Sequence, residues 1–495
     1  MSRRTRLAFV AVLAGAALGG LAGVAHPDDA ATEAALLAAP EAPAHDPRAV
    51  RRAAEDALER DPADDRAWRA LLAAVGRLAD RDLLDDAIDR ARATARPDLD
   101  PALGRALLRR ARLDTPPDAE RLREAATRLA PAETAGAPAD ALSLAHARHL
   151  LGDVAAAQRA YERALDGDEA TGDLAWRGLE SLLGHDDARL GPLSAELVAR
   201  RPGCGAVVRG RADVLDRTAP RAGWDVLLGA KALLATSPRT MVALARRLRK
   251  ADDRHADALA LERRALAAAA GDVVVLDAVE VAWRQARPLA SVADVDAFVA
   301  DADALLAAVE SDRARAFSYR NDLAFRLRDV VAAFAWRGEG RTQGLAAGAP
   351  REARAWLDRV VAWYDGAVAR IPDDAASLPF AQRWVMAGVL NDAGLMRHYW
   401  RDVRDLDRAQ ALYLRAFDLT DGAYVDTYHY NLQYLFGIER PGQEELWLAL
   451  ARRASRSVLK EGPDGTFVPD EGKREAARKD AEALERVLRD RATPK

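Results

Sequence analysis

The sequence is poor in the residues that build disulfides, β-sheets and aromatic cores. It has one cysteine, Cys204, so the chain cannot form an internal disulfide. Aromatic residues make up 6% of the chain, whereas alanine accounts for more than a fifth of its 495 residues. Strands prefer β-branched and aromatic residues, and alanine is the best helix former. The composition therefore predicts an all-α protein, with no sheet beyond a stray hairpin near residues 465–467.

Lysine is also scarce, with 6 lysines against 67 arginines. The base composition of a GC-rich genome explains this ratio without any special use of the guanidinium group. The net charge is −4 and both signs are interspersed along the chain. This excludes the basic surface on which nucleic-acid binding depends, so nucleic acid is not expected as a partner.

Residues 141–168 carry the pattern of two short helices folded back on each other. Gly152 can adopt the left-handed conformation that ends the first helix. In the second helix Ala157, Tyr161 and Ala164 fall at i, i+4 and i+7, which places them on one face. Small residues beside one aromatic allow two helices to approach closely while the ring fills the gap between them.

This segment resembles a hairpin of the tetratricopeptide repeat (TPR) family, although it lacks the closing proline. It matches the family at Ala145, Gly152, Ala157, Tyr161, Ala164 and Leu165. Alanines that could play the part of Ala164 recur with a period near 34 residues, at Ala57, Ala91, Ala126, Ala199, Ala232 and Ala265. The resemblance implies an α-solenoid of antiparallel helix pairs that binds a protein or peptide. The family's peptide-clamping residues are not matched, so no known specificity is implied.

The first 25 residues have the features of a targeting segment. Arg3, Arg4 and Arg6 are followed by an uncharged apolar run over residues 7–25. This pattern is typical of a signal peptide, and the run is also about long enough to span a bilayer. A cleaved signal and a retained membrane tether both remain open. Either one predicts that the rest of the chain is exported from the cytoplasm.

Composition divides the remainder into four segments. Residues 26–47 are rich in Ala, Pro and Asp and are expected to be a flexible spacer. Residues 48–310 are predicted to form Ala/Leu/Arg-rich TPR-like repeats, and residues 311–460 aromatic-rich repeats with longer hairpins. Residues 461–495 are predicted to form a loop and a terminal helix that caps the stack.

Aromatic residues are concentrated in one quarter of the chain. Of the 28 aromatics, 20 lie between Phe317 and Trp447. Asn321-Asp322 and Asn391-Asp392 recur within this region, each followed by an arginine (Arg326 and Arg397), as equivalent positions on two first helices would be. The candidate partner-binding residues are Asn391, Arg397, His398, Tyr399, Trp400, Tyr428, His429 and Tyr430. The alternative is that these rings fill the spaces between helices.

No catalytic residue, cofactor or metal site is predicted. The chain has no phosphate-binding loop and no zinc or calcium motif. The main hypothesis is therefore an exported scaffold that mediates protein–protein interaction. The alternative is a glycan- or peptide-acting hydrolase with its site in the aromatic region. That alternative requires carboxylates about 5 to 9 Å apart beside the histidines, drawn from Asp322, Asp392, Asp426 and Glu439 near His398 and His429.

Overall fold

A computed structural model describes residues 36–38, 46–219, 221–251, 253–269, 271–337, 342–462 and 466–492. The chain divides into two compact units at residues 270 and 271. This division falls ahead of the compositional change expected between residues 310 and 311. The predicted targeting segment, residues 1–25, lies outside the described residues. Part of the expected spacer is packed rather than free, because Leu36 is buried in the core of the first helices.

The described part of the first unit consists of helices. They are α1 (Pro47–Arg60), α2 (Asp65–Leu78), α3 (Arg81–Ala93), α4 (Asp100–Ala111), α5 (Ala119–Leu129), α6 (Pro138–Leu150), α7 (Val154–Ala164), α8 (Glu169–Leu183), α9 (Leu190–Arg200), α10 (Gly205–Thr218), α11 (Ala222–Gly229), α12 (Lys231–Thr236), α13 (Pro238–Leu248) and α14 (His255–Ala268).

The second unit combines helices with two short hairpins. The helices are α15 (Val273–Ala286), α16 (Val292–Ala308), α17 (Arg313–Ala332), α18 (Ala353–Val368), α19 (Phe380–Tyr399), α20 (Leu406–Leu419), α21 (Glu444–Ser457) and α22 (Glu471–Ala492). Two wide π-helical turns, Thr427–Leu432 and Leu435–Glu439, stand where another first helix is expected. The antiparallel hairpins pair β1 (Ala335–Arg337) with β2 (Gln343–Leu345), and β3 (Leu459–Glu461) with β4 (Phe467–Pro469).

Aspartate starts many of the helices. The Asp64 side chain accepts hydrogen bonds from the backbone N–H groups of Arg66 and Ala67, and Asp80 and Asp118 cap α3 and α5 in the same way. Such a cap satisfies N–H groups that have no partner inside the helix. Gly152 follows α6 with φ of 78°, the left-handed stop expected from the sequence.

Within each unit, consecutive helices pack as antiparallel pairs, and successive pairs pack on one another. In the first unit α4 pairs with α5 and α6 pairs with α7, while α4 also packs on α6 and α6 on α8. In the second unit α17 pairs with α18, α19 with α20 and α21 with α22. The predicted all-α solenoid of TPR-like antiparallel helix pairs is therefore confirmed.

The register predicted for the alanines equivalent to Ala164 is correct in some helix pairs and wrong in others. Ala57, Ala91, Ala164 and Ala265 are buried. Ala199 and Ala232 are exposed and Ala126 is only half-buried, and the inward positions nearby belong to Leu197, Leu233 and Ala125. In the pair containing Ala232, the second helix is broken into α11 and α12, which shifts the period.

Within each unit, arginine side chains form ion pairs between successive helix pairs. Many Arg–carboxylate pairs join residues 32 to 38 positions apart, which is about one repeat, and eight of them serve as examples. They are Arg92–Glu124, Arg105–Asp140, Arg201–Asp166, Arg217–Glu180, Arg247–Asp213, Arg315–Asp277, Arg404–Glu439 and Arg453–Asp418. The guanidinium therefore has a structural use that base composition alone does not explain. A planar group with five donors in a fixed fork is better suited to hold carboxylates on two helices than a compact ammonium.

Candidate functional site

The structure places most of the eight candidate partner-binding residues in the interior. His398, Tyr428 and Trp400 are at most 1% exposed. Asn391, Tyr399 and His429 are also buried. The six therefore lie among the helices of their own unit, where a partner cannot reach their side chains.

Hydrogen bonds and ring contacts explain why these residues are inside. The Asn391 side-chain oxygen accepts from Asn431 Nδ2 at 2.7 Å and from the Thr427 hydroxyl at 3.3 Å, which joins α19 to the π-helical turn. The His398 ring stacks on Tyr399 with centroids 4.1 Å apart. The surface interpretation is thus corrected for these six residues, because rings and amides fill the space between helices here.

The other two candidates reach solvent. Tyr430 is 42% exposed, and the Lys473 ammonium lies 4.6 Å from the centre of its ring. Arg397 is half-buried and its Nη2 lies 2.7 Å from Asp365 Oδ2 on α18. Partner binding therefore stays a prediction for Tyr430 and Arg397 only.

Burial also determines the protonation of the histidine in the π-helical turn. Desolvation, followed by the charge of Lys473, lowers the pKa of His429 to about 4. A neutral imidazole at physiological pH is a weak general base, because its pKa is well below the operating pH.

Three of the four carboxylates named for the hydrolase alternative are engaged with different arginines. Asp322 lies 3.5 Å from Arg284 Nε, Asp392 lies 3.9 Å from Arg328, and Glu439 pairs with Arg404. No observation in the described part of the chain favours a glycosidase pair. The structure offers no support for the enzyme reading.

Metal-binding clusters and membrane-spanning helices are two further features to consider in the described ranges of the chain. No group of three or more His, Cys, Asp or Glu residues is arranged there to hold a metal ion. Among the helices that the structure describes, none combines the length and apolarity needed to cross a bilayer.

A different surface emerges from the first helices of the second unit. We call α15, α17, α19 and the turn Thr427–Leu432 the first-helix row. Polar contacts join each member to the next: Arg284 to Asp322, Arg328 to Asp392, and Asn391 to Asn431. The first two contacts involve partly exposed charges, whereas the third joins two buried amides.

Glu280 lies at the first junction of this row. It is 4% exposed, and its Oε1 accepts a hydrogen bond of 2.7 Å from Arg284 Nε. Burial and the neighbouring charge of Asp322 outweigh Arg284 and raise the pKa of Glu280 to about 8. The Arg284 guanidinium thus contacts two carboxyl groups. The buried one, Glu280, retains its proton at neutral pH.

The second junction is a group of side chains that we call the Arg328 cluster: Arg328, Asp392, Tyr364 and Phe325. The Arg328 guanidinium stacks 4.1 Å above the Phe325 ring, and its side chain is 19% exposed. Its nearest carboxylate oxygens, on Asp329 and Asp392, lie 3.7 and 3.9 Å away, beyond ordinary hydrogen-bond length. Tyr364 belongs to α18 and is 1% exposed.

The Tyr364 hydroxyl is buried, and no hydrogen-bond partner reaches it within the described residues. Burial, the largest cause, raises its pKa, and the charges of Asp392 and Arg328 also act on it. The hydroxyl therefore interacts electrostatically with both charged residues of the cluster. An unsatisfied buried hydroxyl costs about 1–3 kcal/mol, so its position calls for an explanation.

The sequence pattern predicted one member of the Arg328 cluster, Asp392, but not Arg328 or Tyr364. The repeated Asn-Asp pairs do lie on two first helices, α17 and α19, as the recurrence suggested. The arginine that meets Asp392 is Arg328, however, and not the Arg326 or Arg397 that the spacing drew attention to. Tyr364 enters from a second helix, and no local pattern reveals that approach.

Comparisons with known proteins identify no family. No family model matches the chain, and no curated protein matches it. Two solved structures share helical architecture at low similarity. The first, described as a human IFIT1 dimer with m7Gppp-AAAA, has a TM-score of 0.28 and 13% identity, over 80% of this chain and 87% of the other. The second, described as a circular tandem repeat protein with novel repeat topology and enhanced subunit contact surfaces, has a TM-score of 0.16 and 16% identity, over 98% of each chain. Neither similarity carries an argument about function.

Proposed function

We propose that the protein is a helical-repeat scaffold that binds a peptide segment of a partner protein along the first-helix row. The observation that carries the proposal is the junction of α17 and α19, where the partly exposed Arg328 guanidinium lies 3.7 Å from Asp329 and 3.9 Å from Asp392. Binding surfaces of repeat stacks are built from equivalent faces of successive repeats. The row supplies such faces on α15, α17 and α19.

The charges on the row suit a partner that is neither strongly acidic nor strongly basic. Arg284, Arg328, Asp322 and Asp392 alternate in sign between neighbouring helices. A surface of this kind selects by the placement of donors and acceptors more than by net charge. Arginine is also a residue type that commonly anchors interfaces.

We further propose that the chain works outside the cytoplasm. The support is the Arg3, Arg4 and Arg6 cluster followed by the uncharged run over residues 7–25. A reporter enzyme fused after Asp46 tests this, with activity expected only in the exported compartment. Activity confined to the cytoplasm would contradict it.

Selection of peptides from a displayed random library tests the binding function. The wild-type chain is expected to retain a defined set of sequences, and the double variant Arg328→Ala, Asp392→Ala to lose them. Arg189→Ala is the control, because among the described residues Arg189 pairs only with its neighbour Asp187, on the surface of the other unit. The proposal fails if the double variant and the control retain the same peptides as the wild type.

A further inference from the structure

A surface pocket of about 470 Å³ is lined by residues of α1, α2 and α3 in the first unit. We call it the Glu59 pocket. Its lining includes Glu55, Leu58, Glu59, Pro62, Trp68 and Arg90. The pocket shares no residue with the first-helix row, which belongs to the second unit.

The buried part of the lining is apolar. Leu58 and Trp68 are each 5% exposed. The Trp68 indole N–H donates to the Pro62 carbonyl oxygen at 3.0 Å, so the polar atom of the ring has its partner within the chain. What remains is a carbon surface, which suits the methylene groups of a ligand.

Two glutamates lie one helical turn apart on α1. Glu55 and Glu59 stand at i and i+4, where like charges repel each other. The nearest cation to Glu55 is Arg51, at 3.8 Å, beyond ordinary hydrogen-bond length. Glu59 is exposed, and its carboxylate forms no ion pair among the described residues. A cation between the two carboxylates would relieve their repulsion.

The third helix contributes a cation of its own to the pocket. Arg90 Nη1 lies 3.5 Å from Asp86, and its guanidinium carbon lies 5.7 Å from the centre of the Trp68 ring. With Arg51 and Asp86 included, the pocket and its nearest partners hold three carboxylates and two guanidinium groups. One negative charge is therefore in excess, and this balance favours a cationic ligand over an anionic one.

The charged side chains remain accessible to a large partner. The side chains of Glu55 and Arg90 are 34% and 45% exposed. Sites for free small molecules bury about 70–90% of the ligand surface. A pocket with such open walls cannot enclose a free ligand to that extent. A side chain that a protein carries into the pocket does not need this enclosure.

We propose that the Glu59 pocket receives a lysine or arginine side chain of a partner protein. The charged end pairs with Glu55 and Glu59, and the methylene groups lie along the apolar lining. Long basic side chains bind in this way, with a buried stem and a charged head near solvent. The inference goes beyond the proposed function, because it adds a contact in the first unit and specifies the charge of the partner residue.

The test uses three blocked amino acids as probes with the intact chain. They are the methylamides of N-acetyl-lysine, of its neutral analogue N-acetyl-norleucine, and of the anionic N-acetyl-glutamate. Ligand-observed NMR titrations give the dissociation constants. The lysine probe is expected to bind about two- to tenfold more tightly than either of the others, the range of one or two partly exposed ion pairs. About 1 M salt should remove the difference, because it shortens the Debye length to about 3 Å.

Glutamine substitutions provide the matched protein variants. Glu59→Gln should weaken binding of the lysine probe up to about fivefold and leave the norleucine probe unchanged, and adding Glu55→Gln should weaken the lysine probe further. Glu120→Gln is the control, because Glu120 is an exposed glutamate of α5 that does not line the pocket. It should leave binding of all three probes unchanged. Glu59→Gln should not lower the melting temperature, since it removes only repulsion from Glu55.

Four results would each overturn the proposal. Equal binding of the lysine and norleucine probes would mean that the pocket does not select by charge, and tighter binding of the glutamate probe would mean that Arg90 dominates. An equal loss in Glu120→Gln would mean that only overall charge matters. Binding of no probe would mean that the pocket takes no side chain of this kind. The double variant Arg328→Ala, Asp392→Ala should bind the lysine probe as the wild type does, so this inference and the proposed function can fail separately.

Discussion

The ring of Tyr161 lies against Gly178 so closely that no side chain fits between them. A Cβ atom added at Gly178 would lie 2.2 Å from Tyr161 Cε1 and 2.4 Å from Cζ. Tyr161 belongs to α7 and Gly178 to α8, so this contact joins one helix pair to the next. The aromatic predicted to fill the gap between helices does so, and glycine on the next helix makes room for it.

We expect Gly178→Ala to destabilise the first unit. Alanine in place of glycine favours an isolated helix by about 0.5–1 kcal/mol, but here the methyl group would displace a fully buried ring, at a cost of about 1–3 kcal/mol or more. Chemical denaturation monitored by circular dichroism measures the difference. Gly191→Ala is the control, because nothing lies within 4 Å of the added methyl group. Equal effects of the two variants would contradict the packing described here.

Tryptophan substitutions test the register of the α6–α7 pair. Ala157 and Ala164 are 0% exposed, so Ala157→Trp and Ala164→Trp should each cost about 1–3 kcal/mol or more through overpacking. Ala170→Trp should have little effect, because Ala170 is exposed near the start of α8. Thermal unfolding of the three variants decides the question, and three equal shifts would mean that the register is wrong.

Arg209 should be intolerant of lysine. Its side chain is 11% exposed and joins three first helices: it lies 2.6 Å from both Glu169 and Asp173 on α8, and 3.0 Å from Thr240 Oγ1 on α13. Lysine retains the charge but cannot present separate nitrogens to both carboxylates, so at least one partly buried charged bond would be lost at about 1.5–3 kcal/mol.

Denaturant titration of Arg209→Lys should therefore show a large fall in the unfolding free energy. Arg189→Lys serves as the comparison, since Arg189 is a surface residue paired only with Asp187. A small, equal effect of the two substitutions would show that charge alone matters at position 209.

The fold was predictable because local signals agree with one another. Tyr161 between small residues, Gly152 at a helix end and aspartates before helices all favour the same hairpin. The alanine register was less predictable. In a chain where alanine is so common, Ala199 and Ala232 matched the period although they face solvent. Leucine at the inward positions, as at Leu197, carried the better signal.

The candidate site was harder to predict because its members come from different repeats. Arg328 and Asp392 are far apart in sequence. Tyr364 belongs to α18, the second helix of its pair. The aromatics that attracted attention, such as Trp400 and Tyr428, are conspicuous for a different reason. Their size suits the wider spaces inside the second unit, and burial follows from that.

Alanine substitutions separate the buried aromatics from the exposed one. Trp400→Ala and Tyr428→Ala should each cost about 3–5 kcal/mol, since both side chains are at most 1% exposed. Tyr430→Ala should change the melting temperature little, because its ring is 42% exposed and contacts Lys473 at the surface. Differential scanning calorimetry of the three variants checks the order. A loss at Tyr430 as large as at Trp400 would show that its ring belongs to the core.

Glu280 should make the stability of the second unit depend on pH. In the unfolded chain this carboxyl ionises near its ordinary pKa of 4.5, whereas burial and Asp322 keep it protonated in the folded state up to about pH 8. The folded state thus holds one more proton between these values, and stability falls as pH rises through this window. Below about pH 4.5 the group imposes no penalty, and above about pH 8 the penalty is complete.

Glu280→Gln should remove this dependence, because the amide stays neutral and its oxygen can still accept from Arg284. The melting temperature of the variant minus that of the wild type should rise between pH 5 and pH 8. The expected rise is several degrees, since 1 kcal/mol corresponds to roughly 2–4 °C in a domain of this size. Taking the difference cancels other titrating groups, including His429. Glu310→Gln is the control: bonds from Arg320 and Arg370 lower the pKa of Glu310, so its difference should stay flat above pH 5. A flat difference for Glu280→Gln as well would show that the Glu280 carboxyl is already ionised in the folded protein.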